Sequence, residues 1–330
     1  MSSRAQTALQ GQEHDCYYEI DPRQNAELAS SLKGKNAVVA GAGRGIGRAC
    51  ATFLAHASAR SLTLVALELD EVQETAEECR RINNDILIKT AAVNVCDAAR
   101  VEAIMAEVDR DFGGVDVLLM NAGRPPQWLP TAQSDPSIWW STVGVTLQGA
   151  FNFSRFSLPT MQKKKGGSII FTASAGAHSN YGMASYTVAK LGMVRLCEIL
   201  HQENFKEHNI KTFAFHPGRV RTRFFTDFED FLDKKPKEGS YVVSGVPGEE
   251  HSAQTVREAF SGVTFDTPEL AAGLVTALAA GKLDFMSGRY IDSSRNIAEY
   301  IAEREAIQKE DLHRVRLHLA NNRFIPTSDF

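Results

Sequence analysis

The sequence of 330 residues predicts a doubly wound α/β fold, a parallel sheet of about seven strands with helices on both faces. Three observations predict it. Short runs apolar at nearly every position recur along the chain, as expected of strands buried on both faces. Each is followed by a stretch with helical spacing, and such alternation builds a parallel sheet through right-handed crossovers. The first run also ends in a glycine cluster that opens a helix, the usual place for a ligand at the carboxyl ends of the strands.

Taken in order, residues 1–30 are polar with little periodicity and read as an arm. Apolar runs predict strands over 36–40, 62–67, 86–93, 115–120, 168–172, 210–215 and 288–292. Helical patterns fill 46–56, 71–83, 98–112, 137–164, 184–208 and 268–280. In the third of these, Val101, Ile104, Met105 and Val108 fall at i, i+3, i+4 and i+7. Gly166-Gly167 stops the long helix over 137–164. Residues 219–267 break the rhythm, being rich in Gly, Pro and charge and too long for an ordinary connection; a lid-like insertion is expected there. A charged terminal helix is expected from 296 to about 318. The organisation is thus an arm over 1–30, one domain over 31–295 carrying the insertion, and a helical extension over 296–330.

Composition narrows the classes of function. Hydrophobic residues make up 43% and charged residues 23%, ordinary for a globular chain. No run approaches the ~18 apolar residues of a membrane helix. Lys and Arg number 36 against 40 Asp and Glu, for a net charge of −4. No basic field is available to gather nucleic acid or anionic lipid, so neither is expected as a partner. The five cysteines, Cys16, Cys50, Cys79, Cys96 and Cys197, are scattered without a CxxC pair. They read as reduced thiols with no metal site. The polar first 20 residues lack the apolar core of a signal peptide, and the expected location is cytoplasmic.

The first strand runs into Gly41-Ala42-Gly43-Arg44-Gly45-Ile46-Gly47. The strict GxGxxG pattern fails, since Ile46 or Arg48 takes the third glycine's place, leaving Gly41-x-x-x-Gly45-x-Gly47. The physics is shared: glycines permit a tight turn and close backbone approach, and the helix N-terminus offers free N–H groups to a pyrophosphate.

Further on stand Asn121-Ala122-Gly123 after the fourth strand, Ser174 after the fifth, Tyr186-Thr187-Val188-Ala189-Lys190 on the next helix, and His216-Pro217-Gly218 after the sixth. Together these four elements resemble the short-chain dehydrogenase/reductase family over about residues 32–292. Leu32-Lys33-Gly34-Lys35 and Phe285-Met286-Ser287-Gly288-Arg289-Tyr290 look like fungal members, many of which tailor secondary metabolites. The resemblance implies a Rossmann-like fold and hydride transfer between a nicotinamide cofactor and an alcohol or ketone. It implies that Tyr186 is the acid/base, that Ser174 hydrogen-bonds the substrate oxygen, and that Lys190 lowers the tyrosine pKa and holds the nicotinamide ribose. It assigns cofactor contacts to Gly41, Arg44, Gly45, Ile46 and Gly47, to Glu68, Asn94 and Val95, to Asn121, Ala122 and Gly123, and to Pro217, Gly218, Val220 and Thr222, besides Tyr186 and Lys190. It also implies a homodimer or homotetramer. The residues themselves fit this chemistry. Tyr186 and Lys190, at i and i+4, share a helix face. An ordinary tyrosine titrates about three units too high for neutral acid/base work, or about 4 kcal/mol. One ammonium at ~4 Å in an effective dielectric of ~20 supplies roughly that much.

Departures from the family pattern mark where the chemistry could differ. Ala40 stands for the usual threonine before the first glycine, and Met120 for the first asparagine of Asn-Asn-Ala-Gly. Asn94-Val95 replaces the usual Asp-Val beside adenine. Thr146, in Val145-Thr146-Leu147-Gln148-Gly149, takes the place of the asparagine that positions a relay water behind the lysine. Ser174 lies 12 residues before Tyr186 where the family has 13; the strand register favours Ser174 over Ala173.

Two signals oppose each other on the cofactor. Glu68 ends the second strand, where a carboxylate binds ribose hydroxyls and repels a 2′-phosphate, favouring NAD. Arg44 sits where NADP enzymes of the family often carry a basic residue. On the substrate side, Phe224, Phe225, Phe228 and Phe231 fall at i, i+1, i+4 and i+7. They are either the core face of a short helix or the apolar wall of a lid, and a wall implies a small hydrophobic substrate. Trp128, His178 and Tyr181 are expected on loops near the nicotinamide, chiefly as packing. Trp139 and Trp140 open the long helix as core or subunit interface. Two functions stand: an NAD(P)-dependent alcohol dehydrogenase or ketoreductase, and a relative that binds the cofactor but acts as a non-redox catalyst or binding protein.

Overall fold

The computed structural model describes residues 11–178, 182–235, 240–242 and 245–316. Strands β1 (Asn36–Ala40), β2 (Ser61–Ala66), β3 (Leu87–Ala92), β4 (Val117–Met120), β5 (Gly167–Thr172), β6 (Ile210–His216) and β7 (Arg289–Asp292) form one sheet. Their order is β3-β2-β1-β4-β5-β6-β7, and every neighbouring pair is parallel. The winding reverses between β1 and β4, which opens a crevice at their carboxyl ends.

The helices are α1 (Gly45–His56), α2 (Leu69–Ile82), α3 (Ala98–Phe112), α4 (Pro136–Val143), α5 (Gly149–Lys164), α6 (Ala184–His208), α7 (Arg223–Leu232), α8 (Glu249–Ala259), α9 (Pro268–Ala279), α10 (Ile297–Ala302) and α11 (Arg304–Lys309). Local chemistry sets their ends. The carboxylates of Asp97 and Asp135 cap α3 and α4, and the Thr267 hydroxyl caps α9. Strand alternation splits the core in two. Val39, Leu62 and Leu64 face α1, α2 and α9, whereas Val38, Ala40 and Leu118 face α3, α5 and α6.

Three expectations change. The single long helix over 137–164 is α4 and α5 joined by a π-helical turn, Gly144–Gln148, with Thr146 inside it. Such turns insert an extra residue and occur frequently at functional sites. Second, the described part of the arm is packed against the core. Ile20 and Leu28 are fully buried, and a Cβ on Gly273 of α9 would meet Ile20 at 2.8 Å. These apolar residues are too widely spaced to show a period. Ile20→Ala is expected to lower stability by about 2–5 kcal/mol in denaturant unfolding; a change below ~0.5 kcal/mol would show that this packing contributes little. Residues 1–10 lie outside the described residues.

Third, the terminal helix over 296–318 is replaced by the short α10 and α11. Asp311 (φ 50) and His313 (φ 63) then turn the chain back. His313 O accepts the Tyr290 N–H at 2.9 Å, and the Val315 N–H donates to Glu198 Oε1 at 2.6 Å. β7 is an edge strand, and its unpaired backbone groups claim this segment. Residues 317–330 lie outside the described residues. Of the two readings of Trp140, core or subunit interface, its 66% exposure leaves the second.

The insertion is pinched at its base. Arg219 and Asp266 exchange backbone and side-chain hydrogen bonds: Arg219 N–H donates to Asp266 Oδ2 at 2.6 Å and Asp266 N–H to Arg219 O at 2.9 Å. Between these points α7 and α8 enclose a small core of Phe228, Val242, Ala253 and Val256 with Trp128.

Candidate active site

β1 ends at a turn whose glycines are required by contact. At Gly41 (φ +89) a Cβ would lie 2.6 Å from Ala122 N, and at Gly47 it would lie 1.8 Å from Gly41 O. Asn121 braces the turn by donating from Nδ2 to Gly41 O at 2.9 Å. No side chain caps α1, which follows directly on this turn. The free N–H groups of α1 and the close backbone make a cradle with room for a diphosphate.

A cleft of about 1970 Å³ runs from this turn along the carboxyl ends of the strands. It is larger than an ordinary small-molecule pocket, as a dinucleotide with a substrate would need. Gly41, Arg44, Gly45, Ile46, Glu68, Asn94, Val95, Asn121, Ala122, Gly123, Pro217, Gly218, Val220 and Thr222 line it. Gly47 stays behind the turn, where it lets α1 approach. Asn94 uses its side-chain oxygen locally, accepting the Cys96 N–H at 3.0 Å. Asn152 holds Val95 O at 2.9 Å.

Ser174, Tyr186 and Lys190 also line the cleft. Burial pushes the Tyr186 phenol up to about 12, and the neighbouring Ser174 hydroxyl opposes that shift. Lys190 is fixed by donating from Nζ to Thr172 O at 2.5 Å. Its nitrogen lies 5.5 Å from the centre of the Tyr186 ring, and burial pushes it down to about 7. Burial dominates both groups, so the phenol stands above its ordinary value and the amine below its own. Thr146 is fully buried, and its hydroxyl has no hydrogen-bond partner among the described residues. A Cβ on Gly123 would stand 3.5 Å from Lys190 Nζ and 3.7 Å from Thr146 Oγ1, so both groups lie on the same side of that backbone.

The phenylalanine run divides its work. Phe228 is buried in the core of the insertion. Phe224 turns to the cleft with its ring 5.2 Å from Tyr186, and Phe225 packs on Phe260 at 4.1 Å. Trp128 packs edge-on against Phe260, His178 against Tyr290. Tyr181 lies outside the described residues.

The sequence reading missed a ring of side chains that ties the insertion to the glycine turn. Arg44 Nη1 meets Glu71 Oε1 at 2.6 Å, and Glu71 Oε1 lies 3.9 Å from Arg223 Nη1. Arg223 Nε meets Asp227 Oδ1 at 2.9 Å, Asp227 Oδ2 accepts the Tyr241 N–H at 2.9 Å, and Arg44 Nη2 donates to the Tyr241 hydroxyl at 3.2 Å. Nothing in the spacing of these residues announces the ring. Arg124 was missed too, although a basic residue directly after Asn121-Ala122-Gly123 was a visible signal.

A seven-stranded parallel sheet with this turn and a Ser-Tyr-Lys cluster at its carboxyl edge defines a nicotinamide-dependent oxidoreductase. The short chain dehydrogenase family matches residues 35–232, and the chain belongs to that family. The short chain dehydrogenase mpl6 of Monascus purpureus is 32% identical over 292 residues, covering 87% of this chain and 89% of that one. Among solved structures, levodione reductase aligns with a TM-score of 0.67 at 21% identity, covering 79% of this chain and 96% of that one. NAD+-bound xylitol dehydrogenase aligns at 0.66 and 23% identity, covering 79% and 98%. No helix among the described residues is long and apolar enough to cross a membrane, and no cluster of metal-ligating side chains occurs among them.

Proposed function

We propose that this protein interconverts a hydrophobic secondary alcohol and its ketone with NAD, using Tyr186 as the acid/base. One observation carries the proposal: Ser174, Tyr186 and Lys190 face the same cleft as the uncapped α1 N-terminus. The cofactor, when bound, supplies a hydride donor or acceptor. The remaining work falls to this chain. Gly41, Gly45 and the α1 N–H groups would hold the diphosphate. Tyr186 gives its proton to the substrate oxygen in reduction and takes one in oxidation, and Ser174 hydrogen-bonds the same oxygen. With burial raising its pKa to about 12, the phenol is protonated at neutral pH, the form needed for carbonyl reduction. Lys190, held by Thr172 O, and the partnerless Thr146 hydroxyl form the route by which Tyr186 recovers its proton. The Phe224, Phe225, Trp128 and Phe260 wall supports an apolar substrate. A place in fungal secondary metabolism is supported by the resemblance to fungal members.

The choice of NAD is supported by how the charges are spent. Arg44 is engaged by Glu71 and Tyr241, and Glu68 lies exposed at the cleft. A 2′-phosphate beside Glu68 would meet its carboxylate while Arg44 is already engaged. NAD is expected to bind at least tenfold tighter than NADP, and Glu71→Gln to narrow that ratio; titration of both cofactors checks it. Tenfold tighter NADP binding would reverse the assignment. The exposed apolar side chains of Trp140, Phe151 and Val188 on α4, α5 and α6 support a homodimer or homotetramer. The activity itself is tested by nicotinamide absorbance against a panel of secondary alcohols and ketones, wild type beside Tyr186→Phe.

A further inference from the structure

Six arginines and Lys190 line the cleft, with four carboxylates among them. Most of the cations are paired. Arg44 meets Glu71, Arg221 meets Glu229, Arg223 meets Asp227 and Arg295 meets Glu299. Arg124 and Arg219 have no carboxylate within ion-pair distance among the described residues. The Arg219 side chain makes no hydrogen bond among those residues, whereas Arg124 is held in place: its Nη1 donates to Ser141 Oγ at 2.8 Å. Arg124 leaves β4 directly after Gly123 and is half-buried, and burial pushes its guanidinium down from its ordinary value, with the Tyr241 phenol opposing the shift.

A guanidinium has five N–H donors in a rigid fork, and one bond to a hydroxyl satisfies only one of them. A charge removed from water without a counter-charge is costly to keep. Fixing it in advance lowers the ordering cost for a ligand that supplies the counter-charge. The fork matches the two oxygens of a carboxylate. Trp128, Phe224 and Phe260 line the same cleft and supply its apolar surface.

We propose that Arg124 is a specificity-determining residue that receives a carboxylate of the substrate, making the substrate a hydrophobic keto or hydroxy acid. This rests on the oxidoreductase reading and narrows its substrate class. The cofactor diphosphate is the other anion that could reach the guanidinium, and the experiment separates the two.

The probes are 2-naphthoate and its methyl ester, titrated calorimetrically into NAD-loaded protein. Wild type is expected to bind the acid at least tenfold tighter than the ester. Arg124→Met is expected to abolish that preference while leaving the affinities for the ester and for NAD within twofold. Arg124→Lys, a point charge without the fork, is expected to keep part of it. Ser141→Ala keeps the charge but frees it, and is expected to weaken acid binding a few-fold; it decides the matter if Arg124→Met fails to fold. No acid preference in wild type overturns the proposal, as does a preference that survives Arg124→Met. A tenfold loss of NAD affinity in Arg124→Met with the acid preference intact also overturns it, the anion then being the diphosphate. Because binding is read without turnover, acid selectivity in a protein that shows no redox activity would sink the functional reading and leave Arg124 as a carboxylate-binding residue alone.

Discussion

Replacing Tyr186 with phenylalanine is expected to lower kcat by about 10²–10⁴-fold while leaving the Kd for NAD within twofold. The ring is nearly buried and packs edge-on to Phe224 at 5.2 Å, and the variant keeps that packing. Only the phenol oxygen goes. Ser174 retains the Gly176 N–H as a donor at 2.9 Å, so the loop keeps its shape. Steady-state rates with cofactor titration separate the two effects. Product formation equal to wild type would remove Tyr186 as acid/base and favour the non-redox alternative.

Lys190→Met is expected to abolish most turnover and to raise stability, with a gain that depends on pH. Burial pushes Lys190 from its ordinary 10.5 down to about 7. Between those values the unfolded chain holds a proton that the native protein lacks, so wild-type stability rises with pH across that window. Below about 7 both states are charged, and the native protein carries the whole penalty, about 5 kcal/mol. Methionine removes it. The gain should be greatest near pH 6 and fade towards pH 10, as read by denaturant unfolding at both values. A difference that is flat with pH, or that grows as pH rises, would show that the buried amine carries no such penalty.

The two variants also show why parts of the site were legible in advance. Tyr186 and Lys190 lie one helical turn apart, and a helix fixes their shared face whatever surrounds it. Gly41 and Gly47 could be read because backbone contact leaves no other residue possible. Burial is different: the direction of the Lys190 shift depends on how closely β5, the 123–124 backbone and α4–α5 pack around it. An ammonium beside a phenol would lower it, whereas burial holds the Tyr186 phenol above its ordinary value. The π-helical turn at Thr146 was equally hidden, since a helix with one extra residue keeps the composition of an ordinary one.

The amino-acid sequence alone determined the strands, their parallel order of use, the glycine turn and the Ser-Tyr-Lys cluster. These rest on local rules: apolar runs, helical periods and residues a few positions apart. The tertiary structure alone decided where the arm packs, how the chain after α11 returns along β7, and which charges are already spoken for. Arg44, which as a residue type argued for NADP, is held by Glu71 and by Tyr241, which is 197 positions away. Arg124, which the sequence shows only as a basic residue after Asn121-Ala122-Gly123, is left in the cleft with no carboxylate in reach among the described residues. Pairing of that kind is set by long-range geometry, because the interaction falls with distance in space and not along the chain.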